Sequence, residues 1–246
     1  MSFFLDLWVV SPNKKMPKKA PFKHFGSSDP FFIDIAKRSY GMENPIVDRK
    51  SDERGRPKII EDGEKKAQQN LYTSASHSDN WSFLTFSSNN VSVDTEWINP
   101  NILFPRGFSS DGKHPKKIDI MALANRYFSK REIKILENQK DHEKIATFFQ
   151  WWTTKEAYIK SAGLKLLTGI KTSTDNIPSK WTWKYFLFDR ENLENLCKIK
   201  SDPVKPNLAK TSEASEAPEK SSQKLALTIM WENKKNQTEN IGINFY

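Results

Sequence analysis

Apolar positions recur along this chain with two periods, and the switches between them predict its elements. The opening run, Phe3-Phe4-Leu5-Asp6-Leu7-Trp8-Val9-Val10, is bulky and partly β-branched and predicts a first strand. Residues 30–40 set Phe32, Ile35 and Ala36 on one side of a helix, with Pro30 in its first turn. The charged tract 46–70 predicts a turn at Gly55-Arg56-Pro57 and a weak strand at Lys58-Ile59-Ile60. Alternation on both sides of Ser88-Asn89-Asn90 predicts a hairpin over 81–96. Ile120, Leu123, Ala124, Tyr127 and Phe128 give residues 119–136 a helical stripe, within which Ser129 and Glu132 have capping-box spacing. Ile145, Phe148, Phe149, Trp152 and Ile159 predict a second long helix over 142–162, ended by Gly163. Strands are expected again over 181–188, 225–231 and 241–246.

Between these elements the chain changes character. Residues 14–24 mix lysines with prolines and predict either a clamp for a phosphate or an exposed basic loop, and 99–117 a loop rich in Pro, Gly and Lys. Residues 201–223 are rich in Ser, Ala, Glu, Lys and Pro and predict a mobile insertion without catalytic content. The fold class expected is α+β, divided into residues 1–97 and 98–246. A length of 246 residues suits one large domain or two half-sized ones. The net charge of +9 calls for an anionic partner: nucleotide, nucleic acid, acidic protein or membrane surface. A single cysteine, Cys197, excludes an intrachain disulfide, opposes a cysteine-based zinc site and fits a cytoplasmic setting. The opening apolar run carries an acid and is too short to cross a bilayer, and no basic region precedes it as in a signal peptide. His24, His114 and His142 show no metal-ligand spacing.

The candidate chemistry lies in two places. On the strand ending at Glu96, Val91, Val93 and Thr95 face one way and Ser92, Asp94 and Glu96 the other, which puts the Cα atoms of Asp94 and Glu96 roughly 6.5–7 Å apart. On the second long helix, Trp152, Glu156 and Lys160 recur at four-residue intervals and share a face, with Lys155 adjoining. Three carboxylates among several cations suit a magnesium-bound pyrophosphate. Ser76 and His77 are adjacent on an extended segment and point apart, so they form no hydrolase pair.

These residues resemble a known family. Trp152-Thr153-Thr154-Lys155-Glu156-Ala157-Tyr158-Ile159-Lys160 followed by Gly163 resembles the W-x-x-K-E-A-x-x-K-x-x-G signature of 4′-phosphopantetheinyl transferases. Val93-Asp94-Thr95-Glu96 resembles that family's G-[IV]-D-x-E strand, Ser76-His77-Ser78 its S-H-S segment and Gly55-Arg56-Pro57 its G-[KR]-P turn, in the family's order. Ser92 stands where the family usually has Gly, and Lys165 where a second Gly is common. The resemblance is to the long, monomeric, surfactin-synthetase-activating (Sfp) type, which implies two similar α+β subdomains related by a pseudo-twofold axis. It implies transfer of phosphopantetheine from coenzyme A to a serine of an apo acyl or peptidyl carrier protein, releasing adenosine 3′,5′-bisphosphate. It further implies Mg2+ held by Asp94, Glu96 and Glu156. Glu156 and Lys160 would be catalytic, and Arg56, Ser76, His77, Lys155 and Lys160 would bind coenzyme A. Trp152 is expected to be the packing anchor that fixes Glu156. No nucleic-acid or membrane partner is implied.

A rival reading is a basic module that grips RNA or DNA without catalysis. The acids Asp94, Glu96 and Glu156 oppose it, because they repel phosphates unless a metal intervenes.

Overall fold

The computed structural model describes residues 3–11, 29–52, 55–62, 70–98, 119–201, 223–233 and 241–245. The basic loop at 14–24, the loop at 99–117 and the insertion at 201–223, apart from Ser201 and Gln223, lie outside the described residues. The architecture is α+β, as expected. Strands β1 (Leu5–Val10), β2 (Pro45–Asp48), β3 (Lys58–Glu61), β4 (Leu71–Ser78), β5 (Trp81–Ser87) and β9 (Ile241–Phe245) form one sheet in the order β2-β3-β4-β5-β1-β9. Strands β6 (Val91–Ile98), β7 (Trp181–Asp189) and β8 (Lys224–Glu232) form a second, in the order β6-β8-β7. Neighbours pair antiparallel except β1 and β9. The helices are α1 (Asp29–Tyr40), α2 (Ile120–Tyr127), α3 (Lys130–Glu137), α4 (Asp141–Ala162), α5 (Leu166–Gly169) and α6 (Arg190–Ser201). No helix among the described residues is long and apolar enough to cross a membrane.

Alternation explains the layering. Leu5, Leu7 and Val9 of β1, with Trp81 and Phe83 of β5, pack against Val91, Val93, Leu225, Leu227, Ile229 and Trp231 of the second sheet. The opposite face of the first sheet, through Val10, Leu84 and Phe86, receives Phe31, Phe32, Ile35 and Ala36 of α1. Helix α4 lies against β6 and β8 on the far side of the second sheet. Central β8 is therefore covered on both faces, which accounts for its unbroken run of buried residues from Leu225 to Trp231.

The hairpin expected over 81–96 does not form. Strand β5 already has β4 and β1 on its two edges, so β6 finds no open edge there and pairs with β8. Its other edge runs beside β4, where serines supply the missing acceptors. Ser74, Ser76 and Ser78 accept hydrogen bonds through Oγ from the backbone N–H groups of Val93, Thr95 and Trp97, at 3.3, 3.1 and 3.1 Å. This ladder joins the two sheets. Strands β6 and β9 cross the division expected at residue 97, so sheet membership and chain position divide differently.

The helix expected over 119–136 is two helices. The backbone turns extended at Phe128 and Ser129, and α3 starts with a complete capping box between Ser129 and Glu132. Helix α4 ends at Gly163, whose φ of 60° is the left-handed conformation that favours glycine.

Candidate active site

Packing of α4 on β6 builds the site. Ser92 Oγ donates to the Ala157 carbonyl at 2.7 Å and lies 2.6 Å from Ser161 Oγ. That close contact suits a serine at the position where the family usually has glycine. Two residues along β6, Asp94 Oδ1 accepts from Lys160 Nζ at 2.7 Å, and the same ammonium donates to the Val93 carbonyl at 3.0 Å. Glu156 lies one turn back from Lys160 on the same helical face, and Glu96 two residues beyond Asp94 on the same strand face. Both are half-buried.

Asp94 is buried, and burial pushes its carboxyl above the ordinary aspartate range despite attraction from Lys160 and the hydrogen bond from Ser76. Its Oδ2 is buried without a hydrogen-bond partner. A buried oxygen with spare acceptor capacity, facing the same helix as Glu96, suits a hard cation. Among the described residues no group of three His, Cys, Asp or Glu side chains is gathered closely enough to hold a metal without rearrangement. Lys160 pairs with Asp94 through Oδ1, 2.7 Å away, which leaves Oδ2 without a hydrogen-bond partner.

Beside this face lies a cleft of about 460 Å3, bounded by Arg49, Asp52, Gly55, Arg56, Pro57, Lys58, Tyr72 and Asn90 and by Lys160 and Gly163 at the end of α4. Gly55 adopts a φ of 68°, which turns the chain so that Arg56 meets α4. Arg56 is held by Asp52 through Nε at 2.9 Å and Nη2 at 2.6 Å, and its Nη1 donates to the Ser161 carbonyl. Arg49 is anchored 2.6 Å from the buried Asp29 carboxylate, and Lys58 stands 5.0 Å over the Tyr72 ring. Four cations therefore line one cleft, a match for a polyanion. Arg49 and Lys58 escaped the sequence reading, because both sit in a charged tract that carries no periodic signal.

The remaining candidates divide. His77 is exposed, with Nδ1 2.9 Å from Ser82 Oγ. Desolvation and the Lys160 charge hold its imidazole below the ordinary histidine range. Adjacent Ser76 points inward: its Oγ donates to Asp94 at 3.3 Å and accepts from the Thr95 N–H. Ser76 is thus a strut between sheets, and its expected contact with nucleotide is corrected.

Lys155 is also corrected. It is fully buried, 2.8 Å from Glu132 Oε2 and 3.1 Å from the Ile170 carbonyl, so it cannot reach a phosphate in the cleft. The reason is rotational: residue 155 lies about 100° round the helix from Glu156, facing α3 instead of β6. Trp152 packs on Tyr127, Phe128 and Phe148 with ring centroids 6.0, 6.4 and 5.7 Å away, in the anchoring position expected of it.

Comparison with known proteins agrees with this arrangement. Over 124 residues the chain is 29% identical to the 4′-phosphopantetheinyl transferase HetI of Nostoc sp., covering 50% of this chain and 44% of the relative. It is 29% identical over 93 residues to the 4′-phosphopantetheinyl transferase gsp of Aneurinibacillus migulanus, covering 38% and 32%. It is 28% identical over 105 residues to a putative 4′-phosphopantetheinyl transferase of Synechocystis sp., covering 40% and 42%. The matches thus span less than half the length of these curated relatives. A family model described as the 4′-phosphopantetheinyl transferase superfamily matches residues 93–204, from the Asp94 strand through all of α4.

Proposed function

We propose that this chain transfers the 4′-phosphopantetheine group from coenzyme A to a serine of an apo acyl or peptidyl carrier protein. In this reading it is a monomeric, cytoplasmic enzyme of the Sfp type. The observation that carries the reading is the face of α4 bearing Glu156 and Lys160, laid against the Asp94–Glu96 strand beside a cleft lined by four cations.

In the reaction the serine oxygen bonds to the β-phosphorus of coenzyme A. The phosphoanhydride bond breaks, adenosine 3′,5′-bisphosphate leaves, and the serine proton passes to a base. Asp94, Glu96 and Glu156 would hold Mg2+, with water and phosphate oxygens completing its shell. Bound magnesium would neutralise pyrophosphate charge and polarise the phosphoryl oxygens. Glu156 takes the serine proton, directly or through a water. Lys160 stabilises the charge that grows on the leaving bisphosphate. Arg56 binds a coenzyme A phosphate, its guanidinium already oriented by Asp52. His77, beside Lys160 in electrostatic terms, faces the 3′-phosphate.

An acidic carrier would dock on basic surface at the cleft mouth. Leu166 and Leu167 stand 51% and 67% exposed shortly after the cleft residue Leu164, and Lys165 and Lys171, which flank them in sequence, are exposed. The test is incubation of the protein with Mg2+, coenzyme A and a broad panel of apo carriers. Transfer to at least one carrier, with release of adenosine 3′,5′-bisphosphate, is expected; modification of none overturns the reading. A magnesium-independent, salt-sensitive shift of RNA or DNA would favour the nucleic-acid module instead.

A further inference from the structure

Away from the cleft, one buried ionic cluster joins three segments of the chain. Glu132 and Lys155 are 1% and 0% exposed. Glu132 Oε2 accepts from Lys155 Nζ at 2.8 Å and from Ser129 N and Oγ, each at 2.9 Å. Its Oε1 accepts from Thr174 N at 3.0 Å and Thr174 Oγ1 at 3.2 Å. Lys155 Nζ also donates to the Ile170 carbonyl and stands 4.3 Å from the Phe128 ring centroid. One carboxylate thereby ties the start of α3, the middle of α4 and the turn at Thr174 together, with every oxygen in use.

We infer that Glu132 and Lys155 form a rotational lock that sets the azimuth of α4 and so aims Glu156 at the reacting centre. This rests on the proposed transferase reading. The lock makes Lys155 a positioning residue and adds Glu132, about one helix earlier in the chain, to the machinery.

The geometry requires such a part. The opposite side of α4 is fixed to the second sheet by Thr153 Oγ1, 2.8 Å from Thr228 Oγ1, and by the Ser92 bonds. Those contacts hold one side of the helix; the Lys155–Glu132 pair holds another, on the residue directly preceding Glu156. A carboxylate at the end of a glutamate lies about 6 Å from the helix axis, so a rotation of about 10° displaces it by about 1 Å. A displacement of about 1 Å at a reacting group lowers rate on the order of 100-fold. A buried ion pair is a weak source of net stability compared with apolar packing, whereas it fixes geometry strictly.

The test compares Lys155→Met with the double variant Glu132→Gln/Lys155→Met, each measured by thermal melting and by steady-state transfer. Lys155→Met leaves a buried carboxylate unpaired and should lower both the melting temperature and kcat, with KM for coenzyme A unchanged. The double variant leaves no charge buried alone, so the melting temperature should recover. Its kcat should stay on the order of 100-fold below wild type, because the side of α4 that faces α3 is then no longer fixed. Recovery of kcat together with stability would show that the pair serves folding only and would overturn the inference. A tenfold or larger rise in KM for coenzyme A with kcat retained would make Lys155 a phosphate ligand and overturn it equally. If wild type modifies carriers and Lys155→Met matches it, the lock alone fails. If wild type modifies none, the transferase reading fails and the lock with it.

Discussion

Replacing Ser76 by alanine separates the two roles that this residue can be given. Its hydroxyl accepts from the Thr95 N–H at 3.1 Å and the Thr95 hydroxyl at 3.3 Å and donates to Asp94 Oδ1 at 3.3 Å, all with buried partners. Alanine removes the acceptor and leaves the Thr95 N–H buried between the sheets, where water cannot replace the lost bond. One such orphaned donor costs about 1–3 kcal/mol. For a chain of this size, about 2 kcal/mol corresponds to a fall in Tm of about 4–8 °C. Urea unfolding should show a lower midpoint with an unchanged slope, because the surface exposed on unfolding is the same. Ser82→Ala is the control: its hydroxyl partners the exposed His77, and its effect should stay within about 0.5 kcal/mol. A Ser76→Ala midpoint no lower than that of Ser82→Ala would show that the serine ladder does not hold β6 against β4. A raised KM for coenzyme A at unchanged stability would return Ser76 to the nucleotide and refute the corrected assignment.

On the proposed reading Arg56 meets a coenzyme A phosphate, so Arg56→Ala should raise KM for coenzyme A about tenfold while kcat changes little; steady-state kinetics decide. Asp94→Ala should weaken Mg2+ binding, seen by calorimetry, and reduce turnover with it. For Glu132, burial raises the carboxyl, but bonds from Lys155, Thr174 and Ser129 outweigh it and hold it below its ordinary value of 4.5. A depressed carboxyl contributes stability above the unfolded value, which is lost as pH falls through the folded one. Urea midpoints measured across pH should therefore show Glu132→Gln less stable than wild type near neutrality, with the gap closing below about pH 4.5.

What the sequence disclosed was local. Helix α4 was legible because Ile145, Phe148, Phe149, Trp152 and Ile159 repeat within a few turns, and its end was legible because Gly163 takes a conformation that glycine favours. The capping box at Ser129 and Glu132 was legible for the same reason, although it marked a new helix and not a further turn of the old one. Sheet membership was not legible. Strands β5 and β6 are separated by three residues yet belong to different sheets, and the choice depends on β1 and β8, which are remote in sequence. The alternation of Ser74, Ser76 and Ser78 was visible, but only the free edge of β6 explains it. Lys155 illustrates the limit of a helical wheel. Periodicity separates residue 155 from residue 156 by a rotation, but what waits on the 155 side is Glu132, placed there by the fold of α3. The acids at 94, 96 and 156 were read onto facing elements, and the cation actually opposite Asp94 is Lys160.

The central claim is that the α4 face opposed to Asp94 and Glu96 carries out transfer to a carrier serine. Its most direct test is the intact mass of apo carriers after incubation with Mg2+, coenzyme A and either wild-type protein or Glu156→Gln. The account predicts one added phosphopantetheine arm with wild type and none with the variant, whose melting curve matches wild type. An arm added equally by both proteins would contradict it.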